Sequence, residues 1–388
     1  MVQQRLSVLL LFGTRPEVIK LAPLVGRLGR DERFRLRLVV TAQHREMIDG
    51  LLELFSIRPD HDLQVMRPEQ SLTDISRHTL AGLDPVLRDE RPDLLLIQGD
   101  TTSAFSGALG AFHRQVPVGH VEAGLRSHDR QHPYPEETNR RLISVLSDLH
   151  FAPTASAERN LLSEGIDPRG IFVTGNTVID ALREIHRRNG AALERHLAPA
   201  SLAGRRLVLV TAHRRESFGG ALAELCHGLR QLVTAYPDLL VLYPVHLNPA
   251  VRRAVLPILG GHECIRLVDP LPYEAFVEAM SRSHLIVTDS GGVQEEAPSL
   301  GKPVLVFRKV TERGEGVAAR GAKLVGLSRE RLVEEASRLL DDPDAHREMT
   351  RSRDLYGDGQ ASRRIVEAIL HHFGRGERPD RFAPAEAG

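Results

Sequence analysis

The sequence predicts an α/β protein built from two Rossmann-like parallel-sheet domains facing a central cleft. Three observations carry this. Short apolar, β-branched runs alternate with amphipathic helical patterns along the whole chain, the pattern of a parallel sheet covered by helices on both faces. The chain has 388 residues, too many for one compact core. The alternation also comes in two series, separated over 190–206 by a polar stretch containing Pro199 and Gly204.

The first series places strands at Leu6–Phe12, Arg37–Thr41, Leu94–Gln98, Val116–Val121, Leu149–Ala152 and Ile171–Thr174. Helical patterns at Val18–Leu28, Glu46–Phe55, Leu72–Arg88, Ser103–His113, Glu136–Leu146 and Ala155–Glu164 lie between them. The second series places strands at Leu207–Ala212, Leu239–Pro244, Ile265–Val268, Leu285–Thr288 and Val304–Phe307. The expected domains are therefore 1–175 and 176–360. Residues 361–388 form a helix crossing back to the first domain and then a frayed tail from Gly374.

Composition narrows the function. Hydrophobic content is 41%, charged content 26% and formal net charge zero, which argues against a broad basic face for nucleic acid or an anionic membrane. Only four of the 51 basic residues are lysines (Lys20, Lys302, Lys309 and Lys323), which makes Lys20 more informative than most arginines. Cys226 and Cys264 lie far apart without a CxxC spacing, pointing to reduced thiols and a cytoplasmic protein. The apolar run Val8–Phe12 is too short for a signal peptide, and no segment reads as a membrane span.

No G-x-G-x-x-G follows the first strand and no G-x-x-x-x-G-K-[ST] occurs, so no dinucleotide or P-loop cofactor is expected. Asp60-His61-Asp62 reads as a polar turn, and His120, His128 and His132 lack metal-ligand spacing, so no metal is expected.

The chemistry concentrates in Leu285–Ala297. An apolar strand runs into Asp289-Ser290-Gly291-Gly292, with Asp289 or Ser290 placed to cap the following helix. Glycines at such a turn admit a ligand close to the backbone, and the helix N-terminus favours an anion, so this is a candidate phosphate seat. Of Glu295 and Glu296, one is suited to grip a ribose diol; the alternative is that they only complement the helix dipole.

In open parallel sheets, ligands bind beyond the carboxyl ends of the strands. Arg15, Asp100, Glu122, His213, His246 and Ser290 all follow expected strands. Asp100 could instead cap a helix, and Glu136 could be an ordinary first-turn acid. Glu122 ends a strand, a poor place for a merely solvated carboxylate. Together the three acids suit general acid–base work. His213 could orient a phosphate or shuttle a proton, or be one loop histidine among 18.

At these residues the sequence closely resembles the non-hydrolysing UDP-N-acetylglucosamine 2-epimerases. The matching stretches are Phe12–Glu17, Thr41–Met47, Gly99–Thr102, His120–Arg126, Pro135–Glu137, Thr174–Asp180, His213–Phe218, Pro244–Pro249 and Asp289–Pro303. The resemblance implies a GT-B fold with UDP between the domains. It implies that Arg15, Ser290, Gly291 and Gly292 hold the diphosphate, helped by Lys20, His213 and Arg313. Glu296 would take the ribose, and Phe276 and the backbone near Leu271 the uracil. Asp100, Glu122 and Glu136 would be the catalytic carboxylates, with His213 beside them. UDP-N-acetylglucosamine would also act as an activator at a second site made by Gln43, His44, Glu137, Arg214 and His246, and the protein would be a homodimer. After Arg313 the chain departs from the family's usual Pro-Glu-Ala: it has Gly314-Glu315-Gly316, which implies a more mobile loop.

Overall fold

The computed structural model describes residues 4–41, 45–67, 70–188, 190–198, 202–214, 220–311, 313–351 and 354–384. The chain divides into two compact units, Met1–Ala181 with Tyr356–Ala383, and Leu182–Leu355. Each is a parallel sheet flanked by helices.

The first sheet contains β1 (Leu6–Phe12), β2 (Phe34–Val40), β3 (His61–Asp62), β4 (Leu94–Gln98), β5 (Val118–Val121), β6 (Leu149–Ala152) and β7 (Ile171–Val173). Their order is β3-β2-β1-β4-β5-β6-β7, all parallel. The second contains β8 (Arg206–Thr211), β9 (Leu239–Pro244), β10 (Ile265–Val268), β11 (Leu285–Thr288), β12 (Val304–Val306) and β13 (Ala322–Leu324). Its order is β10-β9-β8-β11-β12-β13, again all parallel.

Strands buried on both faces must be apolar throughout, which is why Leu94-Leu95-Leu96-Ile97 reads as a continuous run rather than an alternation. The strand order reverses between β1 and β4 in the first sheet and between β8 and β11 in the second. At each reversal the loops leave in opposite directions and open a crevice beyond the carboxyl ends. Arg15 and Asp100 stand at one crevice, His213 and Ser290 at the other.

Three expectations change. His61–Asp62 is an edge strand rather than a free turn: Asp60 accepts from Leu38 N and Arg37 Nη1, both at 2.8 Å, fixing the chain beside β2. The three-residue β13 has no counterpart among the expected strands, because it is too short to show a period. The described part of the tail is tied down instead of frayed. Phe382 N–H donates to Val173 O at 2.9 Å and its ring is buried. Arg378 lies 4.3 Å over the Phe172 ring and donates to Ile171 O at 2.6 Å. The tail thereby covers the open edge of β7.

The division between the units falls inside the Thr177–Arg187 helix, after Ala181 rather than at Gly175. Asn176 N–H donates to Tyr356 O at 2.6 Å, and the Asp180 carboxylate accepts the N–H groups of Ala361 and Ser362 at 3.2 and 2.8 Å. These bonds hold the first turn in the first unit. The returning Ala361–His372 helix packs on the Arg15–Arg30 helix.

His120 of β5 and His150 of β6 are register partners, both buried. Burial drives each imidazole pKa down from its ordinary value to about 4. The folded state holds them neutral, while the unfolded chain takes up protons near pH 6.5. Their contribution is therefore intact above pH 6.5 and lost as pH falls towards 4, at about 1.4 kcal/mol per pH unit for each histidine. Thermal unfolding monitored from pH 7 to 4 should show this loss, and His150→Leu should flatten the slope.

Candidate active site

The first crevice is built on a buried carboxylate. Glu17 Oε2 accepts Gly13 N–H and Thr14 N–H, both at 2.7 Å, shaping the turn that presents Arg15. Its Oε1 accepts the Thr101 hydroxyl at 2.7 Å, joining the β1 and β4 loops. Burial raises the Glu17 pKa above the ordinary carboxylate value.

Thr101 caps the Thr102–His113 helix, accepting Ala104 N–H at 3.0 Å. Asp100 therefore has no capping duty. Its Oδ2 accepts two bonds from Arg140, Nε at 3.0 Å and Nη2 at 2.5 Å. Arg140 Nη1 reaches Glu137 Oε2 at 3.2 Å. Glu137 is wholly buried and accepts Ser127 N–H at 2.9 Å and His128 N–H at 3.3 Å. Glu137 thus organises a loop and anchors the arginine that orients Asp100. Glu136, one residue earlier, has a buried Oε2 with no partner among the described residues.

Glu122 follows β5 with φ +67°, a left-handed conformation that costs a non-glycine residue about 1–3 kcal/mol. Lys20 Nζ donates to both carboxylate oxygens, at 2.5 and 2.6 Å. Gln98 Nε2 and Asn176 Nδ2 also donate to it. Gly99 has φ +72°, and a Cβ there would stand 4.0 Å from Glu122 Oε2. His120 Nε2 donates to Gly99 O at 2.7 Å, holding that turn.

In the second unit, Ser290 occupies the N-cap position of the Gly291–Ser299 helix, but its hydroxyl makes no capping bond. Asp289 does not cap either. It is fully buried, and its Oδ2 accepts His213 N–H and Arg214 N–H, both at 2.8 Å. A helix N-terminus that its N-cap side chain does not cap is a favourable place for an anion. The Arg313 guanidinium lies over it: a Cβ on Gly291 would be 3.1 Å from Arg313 Cζ. Glu295 Oε1 accepts Arg313 Nε at 2.8 Å, so Glu295 is the arginine's anchor rather than a solvated first-turn acid. Thr311 Oγ1 accepts Arg313 N–H at 3.2 Å and donates to Gln294 Oε1 at 2.6 Å.

Gly314-Glu315-Gly316 is not an irregular loop here. It forms the first turn of the Gly314–Ala318 helix, with Arg313 at the N-cap position. Glu296 Oε1 accepts the Tyr273 hydroxyl at 2.8 Å. Leu271 is buried and Phe276 half-buried beside Tyr273. His213 Nδ1 stands 3.7 Å from Asp289 Oδ1, and its ring stacks on His246 at 5.3 Å and 11°. Gln43 and His44 lie outside the described residues. Among the described residues no His, Cys, Asp and Glu group is arranged to hold a metal ion.

The sequence profile described as UDP-N-acetylglucosamine 2-epimerase matches residues 26–370. The UDP-N-acetylglucosamine 2-epimerase of Escherichia coli K12 is 50% identical over 372 residues, covering 95% of this chain and 99% of that one. The chain belongs to the UDP-N-acetylglucosamine 2-epimerase family. The Bacillus subtilis member is 47% identical over 380 residues, covering 98% of this chain and 99% of its own. Among solved structures, the Neisseria meningitidis UDP-GlcNAc 2-epimerase bound to UDP-GlcNAc superposes with a TM-score of 0.90 at 44% identity, covering 94% of this chain and all of that one.

Arg140, Tyr273, Gln98, Asn176 and Glu17 were not singled out from the sequence. Gln98 carried a usable signal, a polar residue ending an apolar strand just before Asp100. The others act through partners distant in sequence, so no local pattern marks them.

Gly291→Ala should displace the flexible Arg313 guanidinium without unfolding the protein. Titration calorimetry with inorganic pyrophosphate should show binding weakened by roughly tenfold, the loss of about 1.4 kcal/mol of charge-assisted hydrogen bonding.

Proposed function

We propose that this protein inverts C2 of UDP-N-acetylglucosamine, giving UDP-N-acetylmannosamine without net hydrolysis. The observation that supports the reading is the pair Asp100 and Glu122, held by Arg140 and Lys20 just beyond the adjacent strands β4 and β5, with Glu136 opening the Glu136–Leu146 helix, in a chain of this family. Binding UDP alone needs few carboxylates; moving a proton on each face of a carbon needs at least two.

The C2 proton is not acidic, because C1 is an acetal and not a carbonyl. Breaking the C1–O bond to UDP gives C1 oxocarbenium character and acidifies it. The C2–H electrons become the C1=C2 bond, UDP leaves with the C1–O pair, and a carboxylate takes the proton. The product is a 2-acetamidoglucal. Return of UDP to C1, with a proton delivered to the opposite face of C2, completes inversion.

The leaving diphosphate needs a cationic, N–H-rich seat. The Gly291–Ser299 helix N-terminus with Ser290, Gly291, Gly292, Arg313 and His213 supports that assignment, and the family likeness adds Arg15 and Lys20 of the first unit. Glu296, steadied by Tyr273, takes the ribose, and Leu271 and Phe276 border the uracil. UDP-N-acetylglucosamine also activates the enzyme at a second site using Gln43, His44, Glu137, Arg214 and His246, and the working unit is a homodimer. The His213–His246 stack supports a link between the two sites.

Proton NMR of UDP-N-acetylglucosamine with the protein in deuterated water tests the reaction. The expected result is a manno-configured UDP-sugar with deuterium at C2 of both sugars. Free N-acetylmannosamine with UDP would indicate hydrolysis, and an unchanged spectrum would overturn the proposal. Asp100→Asn, Glu122→Gln and Glu136→Gln should each lower turnover by roughly 10²-fold or more while UDP binding persists by calorimetry.

A further inference from the structure

Glu122 is gripped by two amides that the reaction scheme above does not use. Gln98 ends β4 and is 3% exposed; Asn176 lies just beyond β7 and is 2% exposed. Gln98 Nε2 donates to Glu122 Oε2, and Asn176 Nδ2 donates to Oε1 at 3.0 Å. The Asn176 amide cannot be turned round. Its Oδ1 already accepts Val178 N–H at 3.1 Å, so its NH2 group must face Glu122. Lys20 adds an ammonium at 2.5 and 2.6 Å.

Each of these three described partners is therefore a donor. A protonated Glu122 would aim an O–H at another donor and give up an accepted bond, whereas the ionised form accepts from all of them. Glu136 differs, since its buried Oε2 has no partner among the described residues and can carry a proton without losing one.

We propose that Gln98 and Asn176 are positioning residues that keep Glu122 ionised and aimed, so that it enters as the proton acceptor while Glu136 enters as the donor. The inference rests on the epimerase reading and assigns roles within its set of acids. Glu122 takes the C2 proton as the C1=C2 bond forms and UDP departs. Glu136 gives its proton to the opposite face of C2 as UDP returns. Exchange with water then restores both carboxyls.

The test is the pH profile of kcat for Gln98→Met and Asn176→Ala. Removing a neutral donor raises the pKa of the carboxylate it served. The acid limb should move up by about one pH unit, with KM changed less than about twofold. Asn176→Ala also loses the Val178 contact, so Gln98→Glu is the second variant. It sets two carboxylates together and should move the limb further in the same direction. An unmoved limb in Gln98→Met and Gln98→Glu, with activity reduced equally at every pH, would make these residues structural and overturn the inference. Absence of manno product from the wild-type protein would overturn the epimerase reading beneath it, a failure distinguishable from an active enzyme with an unmoved limb.

Discussion

Parallel pairing of every strand is the constraint on which the rest depends. In a parallel sheet all carboxyl ends lie along one edge, and the following helices begin there. Loops at that edge carry N–H groups that neither the sheet nor the helix satisfies. In this protein buried carboxylates satisfy many of them. Glu17 takes Gly13 and Thr14, Glu137 takes Ser127 and His128, Asp289 takes His213 and Arg214, and Asp180 takes Ala361 and Ser362.

That use of acids changes how a strand-end carboxylate should be weighed. Its position does not make it chemical, because most of these groups are occupied with backbone. What sets Asp100 and Glu122 apart is that the bonds described for their carboxylates come from side chains, while Glu136 keeps a buried Oε2 with no partner among the described residues. Asp100 and Glu122 are instead oriented by side chains, from Arg140 in one case and from Lys20, Gln98 and Asn176 in the other. Side-chain clamps fix a carboxylate's direction while leaving part of it open to a ligand. Such support is what holds a reactive group in productive geometry.

The second unit treats its cations in the same way. Arg313 is long and flexible, and free in solution it would lose rotamer entropy on meeting an anion. Glu295 and Thr311 hold it over Gly291 beforehand. A glycine at 291 lets the guanidinium lie this close, because a Cβ would stand 3.1 Å from Arg313 Cζ and push it aside. The two glycines after Arg313 do not loosen it, since the adjoining turn is helical and the arginine is anchored from outside that turn.

Much of this was legible in the chain. Continuous apolar runs such as Leu94–Ile97 located the strands, because a doubly covered strand has no polar face. The alternation fixed two parallel sheets, and therefore the edge where Arg15, Asp100, Glu122, His213 and Ser290 would stand. Short or polar elements escaped: β3 and β13 are held by neighbours, not by a period of their own. The sequence by itself thus determined the layers, the edge that carries the chemistry and the family. Only the tertiary structure decided how each acid is held, because that depends on partners such as Arg140, Lys20, Asn176 and Tyr273, brought to Asp100, Glu122 and Glu296 across 23 to 102 residues by long-range packing.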